Sequence, residues 1–296
     1  MKSKVYKVGY YQARFGADGK SGSLAEMLHK VALDKRMPQS IACGDHLVQI
    51  RGLVSVNDGK EIRGHVVRFR DDSPLVTRQD SPEETPLELK PGDELVERNH
   101  FVLYRERAGL EILVYQAAWE GTLPSVLARY LSVLNAQQAT ITFDEILTKD
   151  AYEALANGGL IKSVEFRVAR PQRKSFVPDP EDQWTQEGIS FMKGTGATSF
   201  QVKISTRRPD KGLMIDVSKR IKFLLDSVLT KKLVVKMSNM EEPIDLFAQR
   251  VSDRISIQLV KGQADPLQVY AALANSKTNT QPRLDEIFGL GDEALE

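Results

Sequence analysis

Cysteine is almost missing from this chain: Cys43 is the single thiol among 296 residues. One cysteine excludes an intramolecular disulfide framework and any zinc site built on paired cysteines, and it fits a reducing compartment. No nucleophile signature surrounds Cys43, so it reads as a small buried apolar residue. Long apolar runs are missing too. No window reaches the 18 or so apolar residues that a spanning helix needs, and the opening MKSKVYKVGYYQARF holds no run of signal-peptide length. The expectation is a cytoplasmic protein without membrane insertion. Histidine is scarce, at four residues: His29, His46, His65 and His100. None is spaced from another histidine or from a carboxylate in a way that suggests paired metal ligands. His65 and His100 fall on strands and read as satisfied structural groups. No metal, cofactor or catalytic residue is assigned.

What is present is an ordinary globular balance, 41% hydrophobic and 27% charged, over a length that suits two domains. The net charge of +1 conceals an uneven distribution. Residues 160–236 hold 16 Lys and Arg against 8 Asp and Glu, whereas residues 237–296 hold 5 against 10. A basic block of this kind is the electrostatic footprint of a polyanion partner.

Periodicity predicts a mixed α+β protein. In the first half VYKVGYYQARF reads as a strand and SLAEMLHKVALD as an amphipathic helix capped by Ser21 or Ser23. HLVQIRGLVSV and EIRGHVVRFR form a hairpin about Asn57-Asp58-Gly59, a turn signal of the strong kind. HFVLYRER and LEILVYQA form a second hairpin, and GTLPSVLARYLSVL places Leu123, Val126, Leu127, Tyr130, Leu131 and Leu134 on one helical face. Residues 71–93, rich in Pro, Asp and Glu, read as an exposed loop. A domain over residues 1–138 is expected. In the second half the order ATITF, DEILTKDAYEALANGG, SVEFRVARP, SFQVKISTRR, GLMIDVSKRIKFLLDSVLT, KLVVKM predicts a ferredoxin-like βαββαβ domain. DLFAQRV (helix), RISIQLVK (strand) and DPLQVYAALAN (helix) would extend it to residue 275. SKTNTQP then reads as a linker to an acidic tail over 276–296.

Two glycine-rich stretches invite a phosphate-binding reading. Gly19-Lys20-Ser21 stands between a strand and a helix, but a phosphate-binding loop needs glycine where Arg14 stands, and the magnesium-holding Asp on a second strand is missing. The expected role is a turn whose serine caps the helix. Residues 193–198, KGTGAT, precede a strand and read as a mobile loop. A metal-dependent nuclease would need acids, Glu or Gln and Lys on adjacent strand positions; Asp253 with Gln258 and Lys261, and Glu165 with Arg167, are the nearest approaches and have the wrong spacing or lack the lysine. Glu165 and Arg167 alternate with Val164, Phe166 and Val168 and so belong to a solvent face.

The basic residues carry the functional expectation. Lys162, Arg167, Arg170, Arg173 and Lys174 flank one strand, and Lys203, Arg207, Arg208 and Lys211 flank its expected antiparallel neighbour. Arg167 and Lys203 would point away from the inward Val and Phe side chains and present a positive stripe to phosphates. Phe166 and Phe200 alternate with the core, so no base-stacking platform is expected. This predicts sequence-independent contact with DNA or RNA backbone, with a divalent-metal nuclease and a protein-binding scaffold as alternatives. In the tail, Leu284, Ile287 and Phe288 at helical spacing among acids suggest a docking peptide for a protein partner or another copy in a homo-oligomer. The stretches GGLIKSVEFRVARP, RVSDRISIQLVKG and DPLQVYAALA resemble uncharacterised bacterial proteins of phage-defence islands and mobile elements. That resemblance implies a role in antiviral defence and supplies no catalytic residue.

Overall fold

The structure, a computed structural model, describes residues 2–16, 22–34, 38–44, 46–70, 74–77, 83–117, 121–135, 139–149, 151, 159–171, 182–208, 210–213, 217–227, 229–240, 242–260 and 262–290. The protein is α+β with more strand than helix, and the chain divides into two compact units. The first takes residues 1–144 and 252–279, the second residues 145–251 and 280–296.

The first unit is built on β1 (Ser3–Phe15), β2 (Ile41–Cys43), β3 (His46–Val56), β4 (Glu61–Phe69), β7 (Val96–Arg107), β8 (Leu110–Ala117), β9 (Ile141–Glu145), β14 (Ser252–Val260) and β15 (Gln263–Ala264). They form a nine-stranded sheet of order β15-β14-β1-β8-β7-β4-β3-β2, with β9 also paired to β1. A separate ribbon, β5 (Leu75–Thr77) with β6 (Glu84–Pro86), lies in the acidic stretch read as a loop. The β3–β4 hairpin turns at Asn57 and Asp58, both at positive φ, as the NDG signal predicts.

Both faces of this sheet are covered, which explains why β8, LEILVYQA, is buried along almost its whole length and reads as a continuous apolar run. On one face α1 (Leu24–Leu33) and α2 (Pro124–Leu134) place Leu24, Leu28, Leu127, Tyr130 and Leu131 against Ile50, Ile62, Phe101, Leu103 and Leu113. Each such leucine or isoleucine, fully buried, favours the folded state by about 1.5–3 kcal/mol relative to exposure. The other face receives α5 (Pro266–Phe288), whose Val269, Leu273, Ser276 and Lys277 are buried at helical spacing.

The second unit holds a four-stranded sheet, β11 (Ser199–Ser205), β10 (Ile161–Ala169), β12 (Thr230–Met237) and β13 (Ile244–Asp245), in that order. Val164, Phe166 and Val168 of β10 and Leu233 and Val235 of β12 pack with Ile189 and Met192 of α3 (Gln183–Thr195) and Ile221 and Leu224 of α4 (Val217–Asp226).

The structure departs from the sequence pattern at several points. The ferredoxin-like βαββαβ order does not form: ATITF is β9 and pairs with β1, and β10 pairs antiparallel with both β11 and β12. RISIQLVK is β14, which pairs with β1 in the first unit, so the boundary near residue 138 does not separate an N-terminal from a C-terminal domain. Residues 246–249 of DLFAQRV form a turn. SKTNTQP is no linker, because α5 runs through it with Pro282 inside the helix. KGTGAT contains the end of α3, which Asp182 caps at its N-terminus through the Thr185 N–H and Gly196 closes in the left-handed conformation. Half of the expected helix DEILTKDAYEALANGG falls outside the described residues; its first two residues, Asp144 and Glu145, end β9, and Lys149 and Ala151 are helical.

Candidate functional site

The helix that follows the first glycine-rich stretch settles one question. Gly19, Lys20 and Ser21 lie outside the described residues, but the N-terminus of α1 is described, and a side chain already fills it. Ser23 caps the helix by accepting the Glu26 N–H at 3.1 Å. The Glu111 carboxylate from β8 accepts the Leu24 N–H at 2.9 Å, the Ala25 N–H at 3.1 Å and the Ser23 hydroxyl. An internal anion thus occupies the place where a helix N-terminus would hold a phosphate. Cys43 is buried, and burial pushes its thiol up against a smaller opposing pull from Arg129, in keeping with an inert apolar role.

The open face of the four-stranded sheet carries the predicted cations. On β10, Ser163, Glu165 and Arg167 point away from the core, and the register sets Lys203 beside Glu165 and Gln201 and Lys232 beside Arg167. Ser163 faces Lys236. Arg167, Gln201 and Lys203 are exposed. Glu165 lies among them: Lys232 donates to its carboxylate at 2.5 Å and Gln201 at 2.8 Å. The Lys232 hydrogen bond, with the charges of Lys232 and Lys203, holds the Glu165 carboxyl below its usual range. Asp245 shares the face from β13 and is engaged in accepting the Phe247 N–H. Arg207, Arg208 and Lys211 are exposed beyond the end of β11, and Arg170 beyond the end of β10.

Lys162 has a different role from the one expected, since its ammonium donates to the Arg208 and Lys211 carbonyls at 2.8 Å and fastens that turn. Arg173 and Lys174 lie outside the described residues. Phe166 is buried and stacks on Trp184 at 5.1 Å, and Phe200 packs on Phe191, so neither aromatic reaches the open face. Leu284 is fully buried in the chain and Ile287 and Phe288 are half-buried, because α5 continues through them. They do not form a free docking peptide. Among the described residues no group of three or more His, Cys, Asp or Glu is placed to hold a metal ion. The oxygens of Asp253 accept from Ser276 and from the Arg254 N–H.

A second constellation escaped the sequence reading. His65 of β4 and His100 of β7 are direct cross-strand partners with ring centroids 5.5 Å apart, and Arg51 of β3 pairs with His65 on the other side. They line a cavity of about 380 Å3 with Tyr6, Val67, Val96, Arg98, Gln116 and the β14–β15 turn at Gly262 and Gln263. Among the described residues no Asp or Glu lines it. Burial pushes His65 down to about 4, helped by the positive charges of Arg98 and Arg51 and by His100. His100 moves down for the same first reason, and Tyr270, packed edge-on to its ring at 5.3 Å, is pushed up to about 12 by burial. The sequence signal was present, two histidines each two residues from an arginine-bearing or paired strand position, but pairing β4 with β7 across 35 positions was needed to join them.

The fold defines an α+β protein of two sheet-based units, one with a basic open face and one with a cationic cavity. The chain belongs to DUF6731, a family of unknown function whose model matches residues 1–279. No curated protein matches it.

Proposed function

We propose that the chain binds nucleic-acid backbone, without reading sequence, through the open face of the β10–β11–β12 sheet. The observation that carries this reading is the crowding of Arg167, Lys203, Lys232 and Lys236 on one open face, with Glu165 and Asp245 as the opposing carboxylates and both already hydrogen-bonded. Such a face suits the spaced negative charge of phosphates, while the absence of aromatic side chains on these strand positions leaves base recognition unsupported. Arg207, Arg208 and Arg170 extend the positive surface past the strand ends. The antiviral role that the resemblance implies, and assembly with further copies, belong to the same proposal.

The test is fluorescence anisotropy with labelled single- and double-stranded DNA and RNA over a salt series, with and without magnesium. Wild-type affinity is expected to fall linearly in log–log form with salt, and each cation removed in Arg167→Glu with Lys203→Glu should lower the slope by about 1. Salt-insensitive binding, or binding unchanged in the double variant, would overturn the reading. Metal-dependent cleavage would replace it with the nuclease alternative.

A further inference from the structure

We infer that the cavity lined by His65, His100, Arg51 and Arg98 is a binding site for the phosphate group of a small phosphorylated molecule. The chemistry of the lining selects the ligand in three steps. First, Gln116 Oε1 accepts the His100 backbone N–H at 3.1 Å, which identifies that atom as the oxygen. The same oxygen lies 2.7 Å from His100 Nδ1, so Nδ1 carries the proton and donates. His100 Nε2 is therefore a bare acceptor, buried and without a hydrogen-bond partner, on a side chain only 2% exposed. A buried acceptor in this condition is costly unless a ligand supplies a donor.

Second, the two guanidiniums make the cavity cationic. Arg98 has no hydrogen bond or ion pair among the described residues, and Arg51 spends one N–H on Gln49 Oε1 at 2.6 Å and keeps the rest of its fork. Among the described residues the charged and titratable groups facing the histidines are Arg51 on β3, Arg98 on β7, Tyr6 on β1 and Tyr270 on α5, none of them a carboxylate; Arg63 on β4 lies toward Tyr270 and is ion-paired with Glu61 at 2.5 Å, outside the cavity lining. A metal cation is disfavoured by those charges, and an anion is favoured.

Third, the ligand must be an anion that also donates. A carboxylate at neutral pH only accepts. A phosphate monoester, with its second ionisation near pH 6, can bind as the monoanion, whose P–OH donates to Nε2 while its two remaining oxygens share one negative charge and accept from the arginines. The cavity volume of about 380 Å3 lies at the lower end of small-molecule sites and leaves room beyond the phosphate, walled by Val67, Val96 and Tyr6. Gly52 keeps His65 in place: its φ of +61° marks the bulge in β3, and a Cβ there would stand 3.0 Å from His65 Cε1.

The experiment is isothermal titration of the full chain with inorganic phosphate, glycerol phosphate and acetate, with histidine Cε1–H resonances followed by NMR in parallel. Saturable binding of both phosphates is expected, with the His65 and His100 resonances moving together. Arg98→Gln and Arg51→Gln should each weaken it about tenfold or more. Arg167→Glu with Lys203→Glu, on the other sheet, should leave it unchanged, which separates this site from the nucleic-acid face. Where Arg98→Gln fails to fold, Arg98→Lys keeps the charge, loses the fork, and should still weaken binding severalfold. No saturable heat up to about 10 mM phosphate, acetate binding as tightly as phosphate, or unmoved histidine resonances would each overturn the inference.

Discussion

His65 shows how a sheet position rewrites the behaviour of a side chain. Between His100 and Arg51 on the neighbouring strands, with Arg98 close by and water largely excluded, its imidazole is held down to about 4. In the unfolded chain the same group titrates near its ordinary value of about 6.5. The folded state therefore takes up its proton later than the unfolded state as pH falls. Stability from this group is fully present above pH 6.5 and is lost as pH drops toward 4, by up to about 3 kcal/mol in all. Urea denaturation from pH 8 to pH 4 is expected to show this decline, and His65→Gln should flatten it. His100, shifted in the same direction, leaves a smaller residual slope. At the same scale Glu111 illustrates an outcome that no motif scan reaches: a carboxylate 87 positions from Leu24 answers the helix N-terminus in place of a ligand.

Among the elements, α5 is the most informative. Its middle, SKTNTQP, is polar enough to read as a linker, yet the polar residues are the ones that pack. Ser276 donates to Asp253 at 2.7 Å and lies 2.7 Å from the Tyr10 hydroxyl, which is left to donate to it. Lys277 forms an ion pair with Glu106 at 2.7 Å and lies over the Tyr104 ring. Both partners of that pair are nearly shielded from water, at 8% and 17% side-chain exposure. Removing one side of such a pair strands the other charge. Lys277→Ala is expected to cost about 3–5 kcal/mol in chemical denaturation, whereas Lys277→Met with Glu106→Gln should recover most of the loss. An equal loss in both variants would show that the ion pair itself stabilises the helix, because methionine keeps the packing of the lysine stem while the charges are gone.

The whole molecule is organised by a chain that leaves its first unit and returns. Residues 1–144 build most of the nine-stranded sheet, and residues 252–279 supply β14 beside β1 and the helix that covers the second face. The first unit is thus incomplete until its last segment joins. A chain ending at residue 251 exposes the apolar face around Val8, Val102, Ile112 and Val114, all buried in the intact protein. Its first unit is expected to lose its cooperative thermal transition, and adding a peptide of residues 252–290 in trans should restore part of it. A truncated chain that melts as the full one does would refute this account.

Local pattern by itself determined the α+β class, the NDG hairpin, the Ser23 cap as one of two candidates, the alternation that turns Arg167 and Lys203 outward, and the want of a base-stacking platform. These depend on neighbours within a few residues, where periodicity, turn chemistry and capping act. It also placed the basic block, because charge composition needs no fold. Tertiary structure alone decided that ATITF and RISIQLVK join β1, that SKTNTQP is a packed helix, and that Lys162 fastens a turn. It alone brought His65 to His100, and Glu111 to the end of α1. The physical reason is common to all of these. Strand partners and buried polar pairs are chosen by what lies across a sheet or beneath a helix, and a polar residue looks solvated in sequence until a distant partner satisfies it.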